Sequence, residues 1–535
     1  LSMAVLKDKC LPQTTHQRIE HIHESLLFYD EHTFGASESV SDPLCENSQV
    51  QWGEKSAYAW EAVKRTQMLY ETSVGLLQGD LRRGKNPTLT IFNTLNWKRS
   101  EMLTVYIDFE VIPRNQFFEI TDFQGHSLKV QPIRYRREGC YYAIFAEDIP
   151  PMGYKTFEIV FKQPSTDTGT ITINNASIEN HFYKLQLNPD KGTIQSLYDK
   201  ELNCELVDSS SPWELGAFIY EKLGNRDQLA QYRLDDYNRT GLSECRIIDS
   251  SNGPIYQRIL LQGKSPGTDE AFGVNLEIKL YHDTKRIELE YAIKRLPETD
   301  PSGIYVAFPF QLPEGKLAFD VQGGTVISGK NQLEGTSTDW NTVQNFVSVQ
   351  NNQAQIIIGS SLIPLYQLGD INLGKFQYQK QYERPHVYSW VMNNYWNTNF
   401  KASQEGEFRW SYHLTSSVDP SSNLATKFGW SSRIPLYARV MPTGTENHKP
   451  TEYSAFHFEK DNFLMTSCTP SKEEGYILLN IREIDGKRTN LRILNEDGQT
   501  IPFTIVNAIE EKLENETSEH IFEGYQNKFI KIKRF

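Results

Sequence analysis

A mostly β protein that opens on a helical segment is what this sequence predicts, and three observations carry the expectation. Apolar residues recur at helical spacing only in the first ~85 positions. Beyond Gly84-Lys85-Asn86-Pro87 the apolar period shortens to two and stays there. A length of 535 residues leaves room for three or four domains at ~150 residues each. The expected order is part of a helical bundle over residues 1–85, then a succession of antiparallel sheets, read as sandwiches, over 86–165, 166–430 and 431–535.

Each element follows from its pattern. From Thr15 to Tyr29, Ile19, Ile22, Leu26 and Tyr29 return at helical spacing. A second helix is expected from Gln51 to Leu81, with Trp52, Ala59, Val63, Tyr70, Val74, Leu77 and Leu81 on one apolar face and Glu61/Arg65 as an i,i+4 pair. Such a helix, ~45 Å long, needs partners, so an apolar surface is expected on the helical region. Strands are expected at Thr88–Phe92 and Leu103–Ile107. Val274–Leu280 and Ile287–Ile293 alternate strictly, so each is expected to bury one face and wet the other. Gln163–Thr170 reads as a linker, and Ser416–Asn423 as a loop before a last strand-rich segment.

Composition narrows the function classes. Hydrophobic residues at 38% and charged residues at 23% exclude a low-complexity chain. A net charge of −13 disfavours a nucleic-acid partner. No apolar run is long enough to span a bilayer. The six cysteines are scattered without a C-x-x-C, which reads as ordinary thiols. With 28 Phe, 27 Tyr and 9 Trp, flat surface for stacking on sugar rings is plentiful. No nucleophile elbow, P-loop, dinucleotide fingerprint or H-E-x-x-H occurs. The N-x-S/T triplets at Asn175, Asn238 and Asn515 are close to chance. The chain opens on Leu1 without a signal-like segment, so its natural start is expected upstream and its compartment stays open.

The most informative stretch is Leu27–Ala36. It sets Asp30, Glu31 and His32 where an apolar helix gives way to a glycine-containing loop. A histidine at a helix end can ligate a metal in a fixed direction, with a neighbouring carboxylate orienting its ring. Spacing alone favours a capped polar helix terminus, since one ligand makes no site. His16, His21 and His23 read as surface or packing histidines. A second cluster, Val387–Phe400, joins Trp390, Asn393, Asn394, Tyr395 and Trp396. It suits either sugar recognition or a sheet with a polar turn. Thr338–Gln344 again brings together Asp339, Trp340 and amides. Arg409, in the turn and strand that follow, can face solvent or the cluster.

The run Asp30-Glu31-His32-Thr33-Phe34-Gly35-Ala36, followed by Gln51-Trp52 and Lys55, resembles the middle helical region of glycoside hydrolase family 38, the α-mannosidases. It is most similar to bacterial-type members with an "EHTWGA" segment, Phe34 standing at the tryptophan position. Ile91-Phe92-Asn93-Thr94-Leu95-Asn96-Trp97 resembles the start of that family's β region. Ile178–Tyr183, Gly192–Lys200, Asp339-Trp340, Asn393-Asn394-Tyr395-Trp396 and Pro435-Leu436 keep the family's order, so the resemblance covers nearly the whole chain.

The resemblance implies a galactose-mutarotase-like supersandwich and a retaining, zinc-dependent α-mannosidase acting on a carbohydrate substrate. His32 would be one zinc ligand. Glu31, Trp340, Asn393, Asn394 and Arg409 would line the substrate. The other ligands and the catalytic nucleophile would lie in an N-terminal α/β domain that this chain does not contain, since no His-x-Asp occurs in it. Thr33 stands where animal-type members carry Asp. The isolated chain is therefore expected to be inactive. Two alternatives stay open: a non-catalytic carbohydrate-binding or scaffold β protein, and a different enzyme on a large sandwich using His181, His386 or His413 as acid–base groups.

Overall fold

The computed structural model describes residues 1–163 and 176–534. The stretch read as a linker, Gln163–Thr170, lies outside the described residues save for its first position, and so does Asn175. The chain divides into two units. One gathers the described residues of Leu1–Glu24, Glu61–Gly169 and Ile434–Phe535, the other those of Ser25–Trp60 and Thr170–Arg433.

Four α-helices occur among the described residues: α1 (Ser2–Leu6), α2 (Thr15–Asp30), α3 (Glu46–Leu77) and α4 (Ser422–Arg433). α2 has the expected extent, but of its apolar positions only Ile22 is buried, Ile19 and Tyr29 being half-buried and Leu26 exposed. α3 begins more than a turn before Gln51, with Glu46 in its first turn where a carboxylate suits the helix dipole. It gives way to a single 3₁₀ turn at Gln78–Asp80. Its buried stripe is narrow: Ser48, Lys55, Ala62 and Leu69 recur every seventh residue, then Val74 and Leu77. Val63, expected on the apolar face, is 60% exposed because the stripe runs one residue away, through Ala62. Much apolar surface stays open. Leu27, Phe28, Val50, Trp60 and Met68 are all exposed, Leu27 at 73% and Trp60 at 72%.

In the first unit, a five-stranded sheet and a three-stranded sheet enclose Leu89, Ile91, Leu103, Val105, Ile144, Phe157 and Ile159. The five-stranded sheet runs Tyr437–Met441, Thr88–Asn93, Gly153–Lys162, Glu452–Ser454, with Phe117–Thr121 on Gly153–Lys162. Two strands from beyond residue 431 thus complete the sandwich begun at residue 86, whereas the sequence reading kept these segments apart. Strand pairing across ~350 residues leaves no short-range signal. The remaining C-terminal strands close over Phe463, Leu479, Ile481, Phe503, Ile530 and Ile532, and α1 adds Val5 and Leu6 to that core.

In the second unit, a nine-stranded and a six-stranded antiparallel sheet share one large core, to which Ile259, Leu276, Ile278 and Leu289 bring one side and Phe218, Ile304, Val306 and Phe308 the other. Each such buried side chain contributes roughly 1.5–3 kcal/mol. This is the expected supersandwich. The six-stranded sheet is covered on its outer face too, by Trp390, Tyr395, Ile371 and Leu373, so Ser302–Phe308 is buried throughout. The end of the stretch read as a loop, Ser416–Asn423, begins α4, which packs Ala425 on Phe346 and Ile357.

Val274–Tyr281 alternates as expected, but Ile287–Arg295 is buried on both faces. The reason is a polar network around Glu288. Its carboxylate accepts from Lys279 Nζ at 2.9 Å and Tyr281 Oη at 2.9 Å, with His413 Nε2 at 3.7 Å. Burial and the nearby Arg286 guanidinium, against the pull of Glu288, push the His413 ring down to about 3. Folded, the ring stays neutral; unfolded, it takes up a proton below about pH 6.5. The stability it confers is complete above that pH and is lost as pH falls, by about 2 kcal/mol at pH 5. Burial lowers His386 as well, with the same sign. Thermal melting should therefore fall from pH 7.5 to 5, and His413→Gln should flatten part of that slope. An unchanged slope in the variant would contradict this account.

Candidate functional site

The stretch that carried the most chemistry in the sequence sits at the carboxyl end of α2, in the second unit. Its last carbonyls have no helical partners, and Lys55 of α3 supplies one. Lys55 Nζ donates to the Phe28 carbonyl at 2.7 Å, to the Glu31 carbonyl at 3.1 Å and to Glu31 Oε2 at 3.1 Å. Glu31 also accepts the Thr33 N–H at 3.0 Å. That N–H and the Lys55 ammonium hold the carboxyl at about 2, well below its ordinary range. Glu31 Oε1 stands 2.5 Å from His32 Nδ1 and Thr33 Oγ1 lies 3.4 Å from Nε2, so the imidazole is oriented by its two neighbours in the loop while the ring stays 92% exposed.

The loop after His32 is fixed by close approach. A Cβ on Gly35 would meet the Phe400 backbone at 3.1–3.3 Å, so any larger residue would have to push that backbone back by a few tenths of an ångström. Asn399 N donates to the Ala36 carbonyl at 3.3 Å and Thr398 Oγ1 to the Ser37 carbonyl at 3.0 Å. Phe34 packs on Trp52 at 5.0 Å, and Lys401 lies 5.2 Å from the Trp52 ring. Beside this junction opens a cavity of about 610 Å³ whose walls include Gln49, Trp52, Glu298, Phe400, Lys401 and Glu405. Glu298 is already paired with Lys222 at 2.8 Å and Tyr220 at 3.2 Å, whereas Glu405 accepts from Ser403 at 3.0 Å.

The other expected residues have separate places. Asn393 is half-buried and borders a second cavity of about 360 Å³. Asn394 also borders it, but its NH2 donates to the carbonyls of Glu298, Asp300 and Ala402 and its oxygen accepts Ser302 N. Its amide is spent on holding the loop rather than on a ligand, because the loop's carbonyls converge where no strand can satisfy them. Trp340 packs edge-on against Trp390 at 6.0 Å and Trp396 at 5.7 Å, a packing role. Arg409 points away from the cluster. It alternates with the inward Phe408 and Trp410, is 60% exposed and lies 3.9 Å from Glu290. The polar-turn reading thus accounts for much of Val387–Phe400. Lys401, Gln49 and Glu405 carried no motif, since only folding brings their loops together.

Residues 178–376 match the glycosyl hydrolases family 38 C-terminal domain. The resemblance read from the sequence therefore holds, and solved structures extend the likeness of fold beyond that segment. The chain is similar to an α-mannosidase from Enterococcus faecalis, at 13% identity and a TM-score of 0.74 over 99% of this chain and 65% of that one. A glycosyl hydrolase family 38 protein from the same organism gives 13% identity and a TM-score of 0.72 over 97% of this chain and 66% of that one. The chain thus spans just under two thirds of either. None of the curated proteins matches it.

Zinc in a catalytic site takes at least three protein ligands. Among the described residues no three His, Cys, Asp or Glu side chains gather as a metal site. This chain's residues therefore do not by themselves fit the ion, and His32 can be at most one donor to it. No helix among the described residues is long and apolar enough to cross a membrane.

Proposed function

We propose that this chain is the helical and β-sheet part of a retaining, zinc-dependent α-mannosidase, contributing to the active site an oriented imidazole, His32, and a wall of the substrate cleft. The match of residues 178–376 to the family 38 C-terminal domain carries this reading. Retention needs two carboxyl groups ~5–5.5 Å apart, one attacking and one protonating the leaving oxygen. Glu31 suits neither role. Its oxygens are committed to Thr33, Lys55 and His32, and at about 2 it is never a proton donor near neutrality. We therefore assign the nucleophile, the acid and the remaining metal donors to residues outside this chain, and to Glu31 and Lys55 the positioning of His32. The exposed Leu27, Phe28 and Trp60 give those outside residues a surface to dock on.

The test is an aryl α-mannoside given to the polypeptide in which this chain is joined to a family 38 catalytic domain, followed by proton NMR. The first mannose released should be the α anomer, and a zinc chelator should stop the reaction reversibly. β-Mannose as first product, or turnover indifferent to the chelator, would contradict the retaining or the zinc-dependent part of the reading.

A further inference from the structure

A cavity in the first unit lies far along the chain from His32 and outside residues 178–376. It encloses about 720 Å³, within the usual size of a ligand site. Its floor is the seam between the small β-sandwich and the C-terminal strands, and that seam is tied by hydrogen bonds. Asn96 donates to the Phe463 carbonyl at 2.8 Å and accepts Met465 N at 2.9 Å, while Ser454 Oγ donates to the Pro151 carbonyl at 2.8 Å. Rings of Trp97, Tyr453 and His457 and the carboxylates of Asp461, Glu496 and Asp497 line it.

Two of these features are held in place before any ligand arrives. Glu496 and Asp497 stand on a turn in which Asn495 Oδ1 accepts the N–H groups of Asp497 at 3.1 Å and Gln499 at 2.8 Å, and Gly498 adopts φ +77°. Tyr453 is pinned by Lys7, whose Nζ lies 3.7 Å from the ring centroid, and by Tyr154 at 5.5 Å. Preorganised walls spare a ligand the cost of ordering them.

We infer that this cavity is a second carbohydrate site, one that holds an uncharged sugar residue and takes no part in catalysis. Ring faces offer apolar cover to the C–H side of a pyranose, and carboxylates accept hydrogen bonds from neighbouring hydroxyls. Glu452 adds a fourth carboxylate against only two lysines, Lys98 and Lys460, so the field repels anions such as phosphate or sulfated glycans. A metal ion is disfavoured because no group of three ligating side chains forms among the described residues.

Calorimetric titration of the 535-residue chain with α-mannobiose and maltose tests this directly and needs no turnover, so it stands or falls apart from the mannosidase reading. Saturable binding is expected. The double variant Glu496→Gln/Asp497→Asn, which keeps the turn, should weaken it by about tenfold or more at an unchanged melting temperature. Trp97→Ala should weaken it too, and Trp52→Ala, in the other unit's cavity, should leave it intact. Absence of saturable binding by either sugar, binding undiminished in the double variant, or binding lost with Trp52→Ala would overturn the inference.

Discussion

Replacing His32 by alanine in the polypeptide that joins this chain to a family 38 catalytic domain is expected to lower kcat/KM for an aryl α-mannoside on the order of 10²–10³-fold, the scale of losing one preorganised group that stabilises developing charge. The expectation rests on a ring open to solvent and aimed by Glu31, which Lys55 holds in turn. Lys55→Met should act through that chain of contacts, costing about 10–100-fold as outer partners of a ligand do. The two variants differ in a way a merely structural role would not produce. His32→Ala removes an exposed side chain and should leave the melting temperature unchanged while lowering bound zinc. Lys55→Met should lower both. Activity surviving His32→Ala would remove this chain from the chemistry altogether.

The largest effect on stability is expected from Arg239→Met. Glu221 is wholly buried and stands directly across from Arg239 on the neighbouring strand. Its carboxylate accepts from Arg239 Nε, from Tyr395 Oη at 2.6 Å and from Tyr305 Oη at 3.2 Å. Removing the guanidinium strands a buried charge, at a cost of about 3–5 kcal/mol. Arg239→Met/Glu221→Leu should recover part of it, since replacing both charged partners by apolar groups is often close to neutral but leaves the Tyr395 and Tyr305 hydroxyls without this acceptor. Urea unfolding reads both variants. A single variant as stable as the double would contradict the pairing. Because Tyr395 is tethered to Glu221, Arg239→Met should also loosen the loop that carries Asn394 and Phe400, seen as faster amide exchange there.

The sequence was most legible where physics is local. α2 and Thr88–Asn93 lie where their patterns placed them and Val274–Tyr281 alternates, while the family resemblance rested in part on contiguous residues, Ile178–Tyr183, Gly192–Lys200 and Asp339-Trp340, that fall within the 178–376 match. It was least legible where partners come from far away. Ile287–Arg295 buries its charged face because Lys279, Tyr281 and His413 satisfy Glu288, and three of those residues lie on other strands. Asn394 and Arg409 looked alike as polar residues near aromatics. One proved to be a loop staple and the other an outward strand position, distinguished only by carbonyls and alternation that the fold supplies. Lys55 capping α2 is likewise a contact between helices, with no signature in either.

One comparison bears most directly on the account: release of the aryl group from an α-mannoside by the purified 535-residue chain and by the same chain joined to a family 38 catalytic domain. The account predicts no turnover above buffer from the first and zinc-dependent turnover from the second. Steady hydrolysis by the chain alone would contradict it, because the nucleophile and the acid would then have to lie among these residues.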